Sequence, residues 1–239
     1  MDASLLVHFT NRHGGVSEGV YKSNNLAFHV KDNPLNVTKN RTHMCKTLGI
    51  EENNLIYMNQ VHGTNIKIVD KPSKKAILEC DGVFTKTVEL ALMVQVADCT
   101  PVLIYAPDEG AIGAFHAGRA GAFEGIIPKA LGILKETFKV DLKTLHVWLG
   151  PSIGQCCYEI SGNVLDSAKS SFGKHIYRNH LDISAILCEQ LQENGVTQIY
   201  RDNRCSACDT NYFSYRRDGS CGRQAGIIML RKNYGQNPL

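Results

Sequence analysis

Two histidines and one cysteine follow apolar runs of the sequence, each where a predicted strand ends. The run LIYMNQV leads to His62, LALMVQVAD leads to Cys99, and AIGAF leads to His116. Two imidazoles and a thiolate suit zinc, whose catalytic sites typically use three protein ligands and keep a fourth position open. If the three strand ends meet in one sheet, we expect about one zinc per chain, bound by these side chains. The alternative is that each is a structural residue without a metal.

Two polar residues, Gln60 and Asp98, stand beside these ligands in the sequence. Such neighbours commonly orient a metal ligand or move a proton. Asp98, Cys99 and Pro101 also interrupt two apolar runs. These residue types are unfavourable between buried strands, because a buried carboxylate needs a partner and proline cannot donate to a strand ladder. Their presence there calls for a functional reason. We therefore predict Asp98 and Cys99 as catalytic residues, and we expect Asp81 as a second acid near the metal.

The composition of the 239-residue chain is that of an ordinary globular protein, with 43% hydrophobic and 21% charged residues. A net charge of +3 without long basic runs gives no support for nucleic-acid binding. No stretch approaches about 18 consecutive apolar residues, so we expect no membrane span. The start of the chain lacks the basic leader of a signal peptide, and we expect a cytoplasmic location.

Apolar runs rich in β-branched residues predict strands, and helical periodicity predicts three helices. The predicted strands lie near 4–9, 55–62, 65–69, 90–96, 102–106, 111–115, 144–149, 196–200 and 225–230. The predicted helices begin at Pro34, near Glu124 and after Asp182, and two of them stop at Gly49 and Gly195. Because no linker divides the chain, we expect a single domain over residues 1–239 with a mixed α/β (α+β) fold.

The nine cysteines follow no small-scaffold disulfide pattern, which favours free thiols in a reducing compartment. One CxxC motif, from Cys205 to Cys208, is weak evidence for a metal or redox site without a clear second pair. The adjacent Cys156 and Cys157 are not expected to face one ion together without strain. We therefore expect reduced, structural thiols at these positions.

Three arginines, Arg216, Arg217 and Arg223, flank the glycines of the segment YRRDGSCGR. Guanidinium groups and exposed backbone N–H groups suit a phosphate ion. The segment therefore predicts an anion site, and the alternative is a solvated basic turn without a ligand.

Several longer motifs give the chain a family resemblance: NQVHGTNI, ADCTPVLIY, AFHAGRAG, GPSIGQCCYEI and FSYRRDGSCGRQAG. With the opening FTNRHGGVSEGVYKSNNLAFHVKDNP, they resemble the bacterial laccase-like, or polyphenol-oxidase-type, family, now regarded as purine nucleoside phosphorylases. The resemblance implies zinc at the positions of His62, Cys99 and His116. It also implies phosphorolysis of adenosine, inosine, guanosine and methylthioadenosine, with deamination of adenosine. The fold it implies is a set of layered β-sheets flanked by helices, similar to a group of cysteine-hydrolase toxins.

The resemblance also implies substrate contacts in the opening segment of the chain. The predicted substrate-binding residues are then Arg12, Ser17, Asn25, Arg41, Gln60, Arg216 and Arg217. The chain departs from the family after its second histidine, where it reads His-Ala-Gly-Arg-Ala-Gly instead of the common His-Ala-Gly-Trp-Arg-Gly. The departure removes a tryptophan and moves or removes an arginine.

The leading prediction is a zinc-dependent purine nucleoside phosphorylase with an adenosine deaminase side activity, acting on purine nucleosides and phosphate as a monomer or homodimer. The main alternative is a metal-free cysteine hydrolase acting on amides such as cell-wall precursors, with Cys99 as nucleophile and His116 or His62 as base. The nine histidines include no His-x-His pair, which disfavours a copper oxidase centre. A binding module without catalytic activity is a further alternative.

Overall fold

The structure, a computed structural model, describes residues 3–232, which form twelve β-strands and six α-helices. The strands are β1 (Ala3–Phe9), β2 (Leu55–Tyr57), β3 (Ile66–Ile68), β4 (Gly82–Thr85), β5 (Ala91–Val96), β6 (Thr100–Ala106), β7 (Ala111–Ala117), β8 (His146–Leu149), β9 (Ile176–Tyr177), β10 (His180–Leu181), β11 (Gln198–Arg201) and β12 (Gln224–Lys232). The helices are α1 (Pro34–Leu48), α2 (Arg119–Phe123), α3 (Ile126–Glu136), α4 (Gly162–Phe172), α5 (Ile183–Glu193) and α6 (Tyr215–Asp218).

Two mixed sheets contain all the strands except the short β9–β10 pair. The four-stranded sheet has the order β1-β12-β5-β2, and the six-stranded sheet has the order β11-β8-β6-β7-β4-β3. Strands β5 and β7 are buried along their whole length, and β6 along nearly all of it, which is why they read as continuous apolar runs. Strand β5 belongs to one sheet and β6 to the other, so the short connection between them joins the two sheets.

The two sheets pack face to face through a common apolar core. Leu92 and Val94 of β5 lie in one cluster with Leu103 of β6 and Ile112 of β7. Since successive strand side chains point to opposite faces, the neighbouring residues of these strands reach outward to the helical layers.

Helices cover the outer face of each sheet. Phe115 of β7 packs in one cluster with Leu131 of α3 and Leu187 of α5, and Met93 of β5 packs with Met44 of α1. The result is a helix–sheet–sheet–helix arrangement, which confirms the prediction of a mixed fold with layered sheets flanked by helices. The likeness to cysteine-hydrolase toxins stays a prediction.

The predicted helix ends are confirmed at α1 and α5. The Asn33 side chain accepts a hydrogen bond from the Leu35 N–H (2.9 Å), and Gly49 ends α1 with a left-handed φ of 61°. The Asp182 side chain accepts a hydrogen bond from the Ala185 N–H (2.9 Å) at the start of α5. Within residues 3–232, none of the helices combines the length and apolar character needed to cross a membrane.

The strand predicted over 55–62 is wrong in its second half, because β2 ends at Tyr57 and a loop continues to Gly63. Strand β4 and helices α2 and α4 were not predicted from the sequence. Strand β4 has only four residues, and α2 has only five, too few to show a period.

Candidate metal centre and its cavity

The structure brings His62, Cys99 and His116 together. One ligand atom from each lies within 4.8 Å of the others, and the two imidazole rings meet edge to face at a centroid distance of 4.6 Å. Two imidazole nitrogens and one thiol sulfur converging in this way fit a zinc-type ligand set with an open position.

The three ligands come from both sheets, which corrects the prediction of three strand ends in one sheet. His62 lies in the loop after β2 of the four-stranded sheet, and His116 is the penultimate residue of β7 in the six-stranded sheet. Cys99 lies in the connection from β5 to β6, and Pro101 just beyond it pairs with His116. The site therefore sits at the seam between the two sheets.

A single buried carboxylate orients both histidines. Asp81 Oδ1 lies 2.8 Å from His116 Nδ1 and accepts a hydrogen bond from the His62 backbone N–H (2.9 Å). Its Oδ2 accepts hydrogen bonds from the backbone N–H groups of Gly63 (2.8 Å) and Val61 (3.2 Å). Because Asp81 holds Nδ1 of His116, the Nε2 atom of the same ring remains for the side of Cys99. Carboxylates commonly support metal-binding histidines in this way.

The electrostatics of the site favour an ionised thiol. Burial opposes the charge on Cys99, but His116 and His62 outweigh it and lower the pKa of the thiol to about 6. Burial likewise opposes the charge on His116, but Cys99 and Asp81 raise the pKa of that imidazole to about 9. Burial alone would raise the pKa of Asp81, yet its hydrogen bonds from His116 and Gly63 hold it below the usual value. A thiolate is the form of cysteine that binds metals.

Two glycines of α2 and its N-terminal turn make room for the ligands. A Cβ atom on Gly118 would lie 2.9 Å from Cys99 Sγ and 3.3 Å from a carbon of the His62 ring. A Cβ atom on Gly121 would lie 3.1 Å from the Gly63 carbonyl oxygen. The segment after His116 therefore needs glycine at both positions because the ligand loop packs directly against it.

The backbone beside the ligands adopts conformations that side chains rarely take. His62 has φ 63° and Asp98 has φ 92°. Asp98 is held by hydrogen bonds from the Ser206 hydroxyl to Oδ1 (2.7 Å) and from the Arg216 backbone N–H to Oδ2 (2.6 Å). Left-handed non-glycine residues are often found at functional sites, where the surrounding structure fixes them.

A cavity of about 370 Å³ opens beside the three ligands. Gln60 and Asp98 both line the cavity, in agreement with the prediction that they lie near the ligands. Gln60 is fixed by two hydrogen bonds to the Gln95 backbone (2.7 and 2.9 Å). This volume falls in the range of small-molecule sites.

Nine further residues of the described chain complete the cavity wall, and the three with ring side chains among them were not predicted. The cavity is also lined by His29, Tyr158, Tyr215 and Arg223. Burial, followed by the charges of Arg223 and Arg41, lowers the pKa of His29 from its ordinary value. All three stand within motifs quoted above, which is the signal that could have drawn attention to them: His29 in the opening segment, Tyr158 in GPSIGQCCYEI and Tyr215 in FSYRRDGSCGRQAG.

The arginines of the C-terminal turn divide between two roles. Arg216 lines the cavity and donates from Nη1 to the carbonyls of Cys157 (3.0 Å) and Glu159 (3.1 Å), and Arg223 also lines the cavity. Arg217 instead donates to the Ser206 and Tyr212 carbonyls and pairs with Asp218, and it is not among the cavity-lining residues.

The remaining predicted contacts lie in the opening segment and in α1, and they are not among the residues that line the cavity. Arg12 Nε donates to the Lys22 carbonyl (2.9 Å), and the Ser17 hydroxyl donates to Asp32 (2.7 Å). Arg41 Nε donates to the Leu26 carbonyl (2.8 Å) between two aromatic rings. These side chains fix the long segment that leads to His29.

Asn25 connects that segment to the cavity. It is fully buried, and its Oδ1 accepts hydrogen bonds from the backbone N–H groups of Ala27 (3.0 Å) and Arg223 (2.9 Å). Asn25 thus positions the backbone of a cavity arginine instead of lining the cavity itself.

Arg119 occupies the position at which the motif departs from the family pattern. It begins α2 and borders a small recess shared with Cys99 and Tyr158. The arginine of this motif is therefore retained beside the site, although the tryptophan is absent.

Comparison with known proteins places these features in a family context. A family model described as multi-copper polyphenol oxidoreductase laccase matches residues 6–231. A purine nucleoside phosphorylase of Corynebacterium glutamicum is 36% identical over 231 residues, with 94% of both chains covered. A purine nucleoside phosphorylase of Mycobacterium tuberculosis is 35% identical over 226 residues, covering 92% of this chain and 90% of the relative.

Solved structures share the fold over nearly the whole chain. The crystal structure of YlmD from Geobacillus stearothermophilus matches with a TM-score of 0.90 at 29% identity, covering 95% of this chain and 92% of that one. The crystal structure of a Bacillus licheniformis protein, YfiH, matches with a TM-score of 0.90 at 27% identity, covering 95% and 93%.

Proposed function

Because the chain belongs to the family described as multi-copper polyphenol oxidoreductase laccase, whose relatives at 35–36% identity are named purine nucleoside phosphorylases, we propose that it is a zinc-dependent purine nucleoside phosphorylase. The observation that carries the proposal is the group of His62, Cys99 and His116 at one wall of a cavity that also presents arginine and tyrosine side chains. We propose adenosine deamination as a side activity at the same site, within a monomer or homodimer in the cytoplasm.

Zinc is the metal that we propose for this ligand set. When bound, it would supply Lewis-acid charge next to the reacting atoms. Two histidines and a cysteine also hold copper in blue-copper sites, where a weak axial methionine is common. An open position that faces a cavity of about 370 Å³ suits a zinc ion that acts on a substrate better than an electron-transfer copper.

Phosphate is proposed to bind at Arg216 and Arg223. In phosphorolysis a phosphate oxygen forms a bond to the anomeric carbon of the ribose, while the bond from that carbon to the purine nitrogen breaks and its electron pair leaves with the base. Within residues 3–232, Nη2 of each of these two arginines makes no hydrogen bond to the protein, so a donor remains for an anion. This assignment replaces Arg217, whose guanidinium is already occupied by carbonyls and Asp218.

The purine is proposed to lie against the tyrosines. Tyr158 and Tyr215 present aromatic rings at the cavity wall, and Tyr215 is exposed at its mouth. Aromatic side chains stack on purines without regard to their substituents, which agrees with a site that accepts several purine nucleosides. Both oxygens of Asp98 already accept hydrogen bonds, so we assign it to holding Ser206 and Arg216 in place, and its catalytic role stays a prediction.

Product analysis tests the proposal. Incubation with adenosine and phosphate should give adenine and ribose 1-phosphate, and omission of phosphate should leave only slow formation of inosine. Arg223→Gln should raise the KM for phosphate by roughly 10-fold or more, since a charge-assisted hydrogen bond is lost. The control is Arg178→Gln, which removes the same charge from an exposed position on the surface. Phosphate-independent cleavage, or equal effects of the two substitutions, would contradict the phosphorylase assignment.

The metal-free cysteine hydrolase has one observation in its favour. The thiol of Cys99 beside His116, with Asp81 behind it, has the order of a nucleophile, a base and an orienting carboxylate. Removal of metal with a chelator separates the two functions. A phosphorylase of the proposed kind loses activity and regains it with zinc, whereas the hydrolase keeps its activity and loses it on alkylation of Cys99.

A further inference from the structure

A second group of thiols lies outside the cavity, on two loops that are about 50 residues apart in sequence. Cys156 and Cys157 belong to the turn after Gly154, and Cys205 and Cys208 belong to the turn after β11. Cys208 Sγ lies 3.3 Å from Cys157 Sγ and 3.6 Å from Cys156 Sγ, and all four sulfur atoms lie within 4.8 Å of one another. We call these four residues the thiol cluster.

The spacing of the thiol cluster matches a tetrahedral metal site. Zinc binds thiolates at about 2.3 Å, which places the sulfurs of a tetrahedral site about 3.8 Å apart. The distances of 3.3 and 3.6 Å lie near that value, and the four cysteines are free of disulfide bonds. The expectation that adjacent cysteines cannot face one ion is therefore wrong here, because the turn brings Cys156 and Cys157 to the same side.

The protein backbone is shaped around the cluster. The Gly154 N–H donates to Cys205 Sγ (3.2 Å), the kind of outer hydrogen bond that supports a metal-bound thiolate. A Cβ atom on Gly154 would lie 3.2 Å from Cys205 Cβ and 3.3 Å from Cys156 Sγ, so glycine leaves the space that the sulfurs occupy.

Two arginines bring positive charge to the loops that carry the cluster. Arg216 donates to the Cys157 carbonyl (3.0 Å), and Arg217 donates to the Ser206 carbonyl (2.9 Å) within the CxxC turn. Four thiolates around one divalent cation carry a net negative charge, so nearby guanidinium groups stabilise the loaded form.

From these contacts we propose that Cys156, Cys157, Cys205 and Cys208 bind a structural zinc ion. The ion fastens the loop that carries Ile153 and Tyr158 of the cavity wall to the loop that carries Ser206, whose hydroxyl holds Asp98. It would thus fix the outer wall of the cavity without touching substrate. The proposal is independent of the reaction catalysed at the other metal site.

Metal analysis of three proteins tests the proposal, each purified with reductant and without added metal. The wild type should contain about two zinc ions per chain, and Cys99→Ser should keep about one, because the thiol cluster is untouched. The double variant Cys156→Ser/Cys208→Ser should also keep about one, now at His62, Cys99 and His116. The matched control Cys188→Ser, which removes a half-buried thiol of α5, should leave both ions in place.

Cobalt gives a second readout that does not depend on activity. Cobalt bound to Cys99→Ser should show the strong thiolate-to-metal absorption of a site with several thiolates. If the double variant does not fold, Cys99→Ser alone decides, because it leaves all four cluster thiols intact. A Cys99→Ser protein without zinc and without that absorption overturns the proposal, and so does a Cys157–Cys208 disulfide in peptides of the reduced, purified wild type. A wild-type protein without phosphorylase activity, but with zinc on the cluster, would count against the proposed function only.

Discussion

The two groups of candidate metal ligands span similar distances between their ligand atoms but differ in origin, burial and support. At the cavity, His62, Cys99 and His116 come from three separate parts of the sequence, and both histidines are held by one carboxylate, Asp81, which is fully shielded from solvent. The thiol cluster uses two loops, has exposed members, and is supported by backbone N–H groups and arginines. The comparison indicates that an open coordination position needs a rigid buried frame, whereas a closed set of four ligands can hold loops together by itself.

Removal of the Cys99 thiol at the cavity should have the largest effect on activity. Cys99→Ser replaces a thiolate by a neutral hydroxyl, a far poorer ligand for zinc. Phosphorylase kcat/KM should fall by at least about 100-fold together with the metal, beyond what loss of a supporting group causes. Elemental analysis and product chromatography measure the two together. Full zinc occupancy in an inactive Cys99→Ser protein, with a covalent adduct on the wild-type thiol, would instead support the hydrolase.

Substitution of Asp81, the carboxylate that holds the two histidines, should have the second-largest effect. Asp81→Asn keeps the shape of the side chain, but an amide NH2 would face one of the N–H donors that now bond to the carboxylate. Zinc affinity at the cavity should fall by about 10- to 100-fold, while zinc on the thiol cluster is retained. Competition with a chelator measures the affinity. Asp166→Asn removes an exposed negative charge on α4 and should change neither value. An equal loss at both sites would mean that Asp81 supports the fold as a whole.

A pair of glycine substitutions separates the two regions. Gly118→Ala places a methyl group 2.9 Å from Cys99 Sγ, and Gly154→Ala places one 3.2 Å from Cys205 Cβ. Each substitution should weaken zinc binding at its own site only. The free energy of zinc binding should become less favourable by about 1–3 kcal/mol for Gly118→Ala, and by less for Gly154→Ala, which lies on the loops of the thiol cluster. Gly132→Ala in α3, where a Cβ meets nothing within 4 Å, serves as the control and should raise the free energy of unfolding slightly. Crossed effects would contradict the separation.

The smallest effect is expected where the two regions are joined. Ser206→Ala removes the hydroxyl that donates to Asp98 (2.7 Å) from a residue within the CxxC turn. Loss of one such hydrogen bond costs about 1 kcal/mol, so kcat/KM should fall by roughly fivefold with both zinc ions retained. Steady-state kinetics beside metal analysis measures this. An unchanged rate would show that the thiol cluster does not influence the cavity through Asp98.

The core strands and the three candidate ligands could be predicted because each depends on local sequence, whereas the layered arrangement was implied by the family resemblance. Strands β5, β6 and β7 are buried on both faces, so their apolar runs are visible without any tertiary information. His62, Cys99 and His116 stand out because polar ligands directly follow or interrupt such runs. The family resemblance supported the same residues and is confirmed by the relatives.

The contacts of the supporting residues could not be predicted because they form only in the tertiary structure. Asp81 is expected from the sequence as an acid near the metal, but it precedes a strand of four residues, and nothing local indicates that it reaches both His116 and the His62 loop. The two halves of the thiol cluster are about 50 residues apart, so neither pair alone indicates a second partner. Arg217 resembles its neighbour Arg216 in sequence, and only the helical turn of α6 sends one to the cavity and the other to backbone carbonyls.

The position of the cavity ligands at the seam between the sheets couples metal binding to the cohesion of the whole molecule. His62 follows a strand of one sheet, His116 belongs to the other, and Cys99 lies in the connection between them, so sheets that separate cannot keep the ion. An ion that binds only the folded chain adds about 2.7 kcal/mol of stability when its free concentration is about 100 times its Kd. If zinc is the ion, we expect the melting temperature of the protein to rise with the concentration of free zinc, so the fraction of folded chain would report how much of that metal is available.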